Sequence, residues 1–143
     1  MSTTNNKALI RQWLAEVERR DFDIAFARLD PQFVAHLAGA AEPLNRTAFR
    51  VYTEMFHAAF TNERIIVEEQ VAEGDTVATR FTYTAMHSGE LPGIPPTGKP
   101  VRVMGAHIDR IVDGKIVERT VILDQTTLIA QLGVIFAPGQ GGS

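Results

Sequence analysis

The sequence predicts an α+β domain, with helices first and a curved sheet of long antiparallel strands after them. Three observations carry this. Apolar residues recur at helical spacing through the first third of the chain. After residue 63 the period falls to two, in segments rich in Val, Ile, Thr, Tyr and Phe. Gly74-Asp75 and Asp113-Gly114 separate successive segments, and Asp-Gly accepts positive φ at both central positions of a tight hairpin.

Each element has its own warrant. Residues 1–6 are polar and read as a frayed start. Leu9, Trp13 and Val17, with Ile10 and Leu14 beside them, form one apolar stripe of a helix over 7–20. A second helix over 22–29 carries Ile24, Phe26 and Leu29 and is stopped by Pro31. Phe33, Val34 and Leu37 mark a short extended piece. Thr47 can cap a third helix whose buried face is Phe49, Tyr52, Phe56 and Phe60, leaving His57 on the surface. Strands follow over 64–72, 76–87, 101–112 and 115–123. The connection 88–100 holds four prolines and three glycines. A short helix follows Asp124 and ends near Gly133, and 138–143 reads as a disordered end. A sheet this long twists and curls, and helices on its concave face enclose a conical space. No repeat or linker divides the 143 residues, so the whole chain is one domain.

Composition removes several classes of function. Net charge is −3 and no Lys/Arg cluster occurs, so no nucleic-acid partner is expected. There is no cysteine, hence no disulfide frame, thiolate nucleophile or cysteine zinc site. Apolar runs are too short for a membrane span and the start lacks a signal sequence, so a cytoplasmic protein without membrane contact is expected. Gly93-Ile-Pro-Pro-Thr-Gly98-Lys99 matches the beginning of a phosphate-binding loop. Pro100 stands where the magnesium-binding hydroxyl belongs, two prolines remove N–H donors, and a strand follows in place of a helix. The segment reads instead as a rigid loop over a pocket mouth. Neither a Gly-x-Ser-x-Gly elbow nor a His-Glu-x-x-His pair is present.

The chemistry must then come from scattered polar residues among apolar ones. Strict alternation puts Ile116, Glu118, Thr120, Ile122 and Asp124 on one side of their strand. It puts Val103, Gly105, His107 and Asp109 together on the next, and Phe81, Tyr83, Ala85 and His87 on a third. The expectation is that Asp124, His107 and His87 project into the cone. Asp124, ringed by apolar side chains, would then be a poorly solvated carboxylate of raised pKa and a general base. Its competing role is the N-cap of the last helix. His107 would donate to a carbonyl or enolate oxygen, against the alternative of a satisfied core histidine. His87 would line the mouth, with His36 near it. Two histidines and a carboxylate also make a set that iron accepts. We expect no metal and no cofactor.

Larger blocks of sequence look familiar. Thr82–Gly89 reads Thr-Tyr-Thr-Ala-Met-His-Ser-Gly, and Gly93–Gly98 reads Gly-Ile-Pro-Pro-Thr-Gly. Gly105–Ile116 reads Gly-Ala-His-Ile-Asp-Arg-Ile-Val-Asp-Gly-Lys-Ile, and Asp124 is followed by Gln131-Leu132-Gly133. With Phe33-Val-Ala-His36 and the first helix, nearly the whole chain resembles the SnoaL-like polyketide cyclases, or ester cyclases, of the nuclear transport factor 2-like superfamily. The resemblance implies a cone-shaped fold, no cofactor, and a homodimer or homotetramer built on the sheet. It implies a small apolar or polyketide-like ligand, closed into a ring by intramolecular aldol condensation. It places the acid/base carboxylate at Asp124 and the pocket histidine at His107, with His87 lining the pocket. The remaining pocket positions are Trp13, His36, Phe56, Tyr83, Glu118 and Thr120. Thr120 departs from the family, which usually carries an aromatic residue there, so the pocket is wider or wetter at that point. Isomerase chemistry, epoxide hydrolysis (which needs an Asp–Arg–Asp cluster around water) and non-catalytic binding of a small ligand are the alternatives. Asp109 and Arg110, being adjacent, face opposite ways, which weakens the epoxide reading.

Overall fold

The computed structural model describes residues 2–134. The elements are α1 (Thr3–Glu18), α2 (Phe22–Ala27), β1 (Leu29–Leu37), β2 (Leu44–Asn45), α3 (Arg46–Ala58), β3 (Phe60–Glu73), β4 (Thr76–His87), β5 (Pro100–Val112), β6 (Lys115–Leu123) and α4 (Gln125–Gln131). The six strands make one mixed sheet in the order β2-β1-β6-β5-β4-β3. Only β1 runs parallel to its neighbour β6. This is the expected α+β architecture.

Local chemistry explains where the boundaries moved. The chain is helical from Thr3, earlier than expected, because the Ser2 hydroxyl accepts from Asn5 N–H at 3.0 Å and caps α1. Asn45, not Thr47, caps α3, its side chain accepting from Ala48 N–H at 2.8 Å. The α3 helix ends at Ala58, so Phe60 belongs to the start of β3. Pro31 lies within β1, which begins at Leu29. The hairpin at Asp113-Gly114 has positive φ at both residues, as the dipeptide predicts. The expected disordered segment 138–143 lies outside the described residues.

The concave face of the sheet packs on α1 and α3. One core cluster joins Leu9, Ile10, Trp13, Leu14 and Val17 of α1 with Phe26, Phe33, Phe49, Val77, Ile111 and Ile116. A second joins Phe60, Phe81, Tyr83, Val101 and Val103 to Leu128 of α4 and to Leu132, which caps it. Loop 88–100 packs Leu91 and Ile94 on this second cluster. Among the described residues, no helix is long and apolar enough to cross a membrane.

Two irregularities decide which side chains face inward. Between β5 and β6 the register shifts, pairing Arg110 with Glu118 but Ile111 with Ile116. The bulge reverses the alternation. Ile116 points inward before it; Arg119, Val121 and Leu123 point inward after it. In β3 the register slips between Thr61 and Arg64, and Asn62 adopts a left-handed φ of 55°. That slip turns Glu63 inward, where it is buried.

Candidate active site

An apolar cavity of about 80 Å³ lies between α1, α3 and the sheet. That is the share of about three waters in the liquid, so a ring-sized ligand must push the walls apart. Its walls are mostly Leu14, Val17, Phe49, Phe56, Phe81 and Val121, with polar groups at a few points: Thr53, His57, Tyr83 and His107.

Of the residues expected to line a pocket, His107, Trp13, Tyr83 and Phe56 do so. The others do not. Asp124 sits on the solvated side at the start of α4. One carboxylate oxygen accepts from Thr127 N–H at 3.1 Å, and the other from the Thr127 hydroxyl at 2.6 Å. These bonds hold its pKa below the ordinary carboxylate value, the hydroxyl contributing most. The dry, proton-hungry carboxylate expected there is therefore absent, and the N-cap role prevails. Its displacement follows from the β5–β6 bulge, which also sends Glu118 and Thr120 outward. Glu118 pairs on the exposed face with His36, Nε2 lying 2.7 Å from Oε2, so His36 is an outer residue too. Thr120 thus neither widens nor wets the cavity.

His87 is fully buried but does not line the cavity. Its Nδ1 accepts from Thr97 N–H at 3.2 Å and lies 2.9 Å from the Thr97 hydroxyl. Backbone bonds His87 N–H to Lys99 C=O and Gly98 N–H to His87 C=O complete the clamp. His87 therefore anchors the proline-rich loop, and that loop covers the second core cluster instead of a pocket mouth. His87, His107 and Asp124 do not converge as a metal set, and no cluster of three or more ligating side chains occurs among the described residues. Asp109, two residues from His107 on the same face, is bound to Arg119, whose charge opposes a cation there.

The cavity contains a group that sequence reasoning placed on the surface. His57 is buried against Phe22, Phe56 and Tyr83. Its Nδ1 hydrogen-bonds Glu63 Oε2, and the Tyr83 hydroxyl donates to the same oxygen. Arg20 lies 3.0 Å from the other Glu63 oxygen and donates to Phe60 C=O at 2.6 Å. A carboxylate only accepts, so in the neutral ring Nδ1 carries the proton and Nε2 keeps its lone pair. Burial first, and then the neighbouring Glu63 charge, raise the Tyr83 pKa far above its ordinary value, so it remains a donor. The sequence did hold a signal: Phe49, Thr53 and His57 are spaced by four and share the inward stripe of α3. Glu63 had none, because a bulge sets its direction.

At the other end, His107 lies edge-on to Phe81 (centroids 5.0 Å) and Trp13 (6.0 Å). Burial above all, and then the Arg119 charge, push its pKa well below the usual imidazole value. It is a neutral ring with one N–H to offer.

A family model for SnoaL-like polyketide cyclases matches residues 8–132. The chain belongs to the SnoaL-like polyketide cyclase family. Among solved structures it is similar to AclR from Streptomyces galilaeus, provisionally assigned as a hydroxylase. That match has 30% identity and a TM-score of 0.87, over 94% of this chain and 100% of AclR. It is also similar to wild-type IdmH from Streptomyces antibioticus, provisionally assigned as a polyketide cyclase. Here identity is 32% and the TM-score 0.80, over 90% of this chain and 99% of IdmH. A SnoaL-like protein from Jannaschia sp. CCS1, at 18% identity, shares the fold, with a TM-score of 0.84 over 94% of this chain and 95% of that one. No curated protein matches the sequence. Membership of this family supports a cyclase-like function for the SnoaL-like chain, with the cavity as the place to look for its chemistry.

Proposed function

We propose that this SnoaL-like protein is an acid/base enzyme that closes a ring in a small apolar carbonyl compound by intramolecular aldol condensation. One observation carries the reading: a histidine in an apolar cavity whose Nδ1 is held by a buried carboxylate. His57 Nε2 takes a proton from the carbon next to a carbonyl. Glu63 steadies the resulting imidazolium at Nδ1, and Tyr83 and Arg20 hold Glu63. The N–H of neutral His107 donates to the developing enolate oxygen. The carbanion attacks a second carbonyl, a carbon–carbon bond forms, and the new alkoxide recovers the proton from His57. Orientation inside the cavity and charge stabilisation supply the rate without a cofactor.

The first step is testable without the natural substrate. Acetophenone is apolar, has one ring, and exchanges its methyl protons in D₂O. The native protein is expected to accelerate that exchange. His57→Gln should remove about 10²–10⁴-fold of the acceleration, since that is what general-base catalysis contributes. Loss of exchange in Asp124→Asn with His57→Gln unaffected would overturn the assignment. Epoxide hydrolysis has less support, because Asp109 pairs with Arg119 and no second carboxylate joins them among the described residues.

A second copy of the chain is the proposed partner. Met104, Ile108 and Ile122 are 52%, 44% and 44% exposed on the outer sheet face. Ile122 faces Ala106 across the β5–β6 ladder, between the Met104 and Ile108 positions, so the three form one patch.

A further inference from the structure

Beneath the cavity lies a buried ion pair, Arg119 with Asp109, that the proposed mechanism does not use. Arg119 is fully buried, and its Nε donates to Asp109 Oδ1 at 2.6 Å. Its guanidinium carbon lies 3.9 Å from the centroid of the Trp13 ring. Both terminal nitrogens, Nη1 and Nη2, have no partner among the described residues. The same holds for Trp13 Nε1, Asp109 Oδ2 and His107 Nδ1. An arginine carries five N–H donors in a rigid fork, and burying four of them unpaired is costly. The cluster adjoins the cavity. His107 and Asp109 are two residues apart on β5, and Val121 and Arg119 two apart on β6, so each pair shares a face about 7 Å apart. His107, Val121 and Trp13 line the cavity; Arg119 and Asp109 form the layer below, with the indole between.

We infer that this layer is a carboxyl-binding subsite roofed by Trp13, so that the ligand of the cavity is a carbonyl compound bearing a carboxyl group. The free Nη1/Nη2 edge matches the two oxygens of a carboxyl group, and Trp13 Nε1 supplies a third donor. Asp109 already balances the Arg119 charge, so the group binds with one proton shared between it and Asp109 Oδ2. The indole must tilt to admit it. This rests on the reading of the cavity as the ligand site, and it narrows the substrate from an apolar carbonyl compound to a keto acid.

Trp13 is the single tryptophan of the chain, so intrinsic fluorescence reports on the roof directly. Benzoate and methyl benzoate share one ring, and only benzoate offers a carboxyl group. Benzoate is expected to change Trp13 emission saturably, with methyl benzoate roughly tenfold weaker or worse. The double substitution Asp109→Leu with Arg119→Met removes both charges together, which keeps the interior free of an unpaired ion. In that variant the two probes should bind alike. Equal binding of both probes to the native protein, or no response to benzoate at millimolar concentration, would overturn the subsite. Either result leaves the acetophenone exchange, and hence the His57 assignment, untouched.

Discussion

Breaking the Asp109–Arg119 pair one residue at a time should be far more damaging than removing it whole. Both side chains are 0% exposed and their contact is 2.6 Å. Burial raises the Asp109 pKa, and the Arg119 charge and hydrogen bond only partly offset this, so desolvation dominates at that carboxyl. Asp109→Leu leaves a guanidinium without a counter-charge in the interior, and Arg119→Met leaves the carboxylate so. Each is expected to cost about 3–5 kcal/mol, while the double substitution should come close to neutral. At about 2.1 cal/mol/K per residue, a chain of 143 residues unfolds with an entropy of roughly 300 cal/mol/K, so 1 kcal/mol moves Tm by about 3 °C. Each single variant should therefore melt about 10–15 °C lower, and the double variant within a few degrees of the native protein. Thermal unfolding followed by far-ultraviolet circular dichroism reads this directly. Single losses that simply add in the double variant would refute the reasoning, for they would mean that the two charges do not depend on one another.

Other outcomes follow from the same structure. His107 has a folded-state pKa below its unfolded one, so only the unfolded chain gains a proton as pH falls below about 6.5. The stabilisation is complete above that pH and declines below it, by at most about 1.4 kcal/mol per pH unit. His107→Phe should flatten that part of a urea-denaturation series. At Gly105 an added Cβ would lie 2.6 Å from Phe81 Cζ and 3.0 Å from Ile122 C=O. Gly105→Ala should cost about 1–3 kcal/mol and press Phe81, a wall of the cavity, towards His107; a melt and an acetophenone-exchange assay together check both. Ile108→Lys should convert a dimer to a monomer in light scattering, with acetophenone exchange retained. Asp124→Ala should fray α4, seen as faster amide exchange over 125–131, while proton exchange on acetophenone continues at the native rate.

Much of this fold was legible because periodicity and turn chemistry are local. The Leu9–Trp13–Val17 stripe, the Asp113-Gly114 turn and the long strands all followed from neighbours within a few positions. The site was less legible because facing depends on bulges, which are matters of register between strands. Strict alternation held along β4 and β5 and placed Tyr83 and His107 correctly. It failed on β6, where one extra residue exchanged the sides of Arg119 and Asp124. It had no bearing on Glu63, which precedes the expected strand and is turned towards His57 where Asn62 takes a left-handed φ. His87 is a different error: its side chain does point inward, but the adjoining loop uses its Nδ1.

The position of a bound ketone is the most direct measurement. In a crystal of the SnoaL-like protein soaked with acetophenone, the methyl carbon should lie within about 3.5 Å of His57 Nε2, and the carbonyl oxygen should accept from His107. A ketone resting against Asp124, with the cavity between α1, α3 and the sheet unoccupied, would contradict the account.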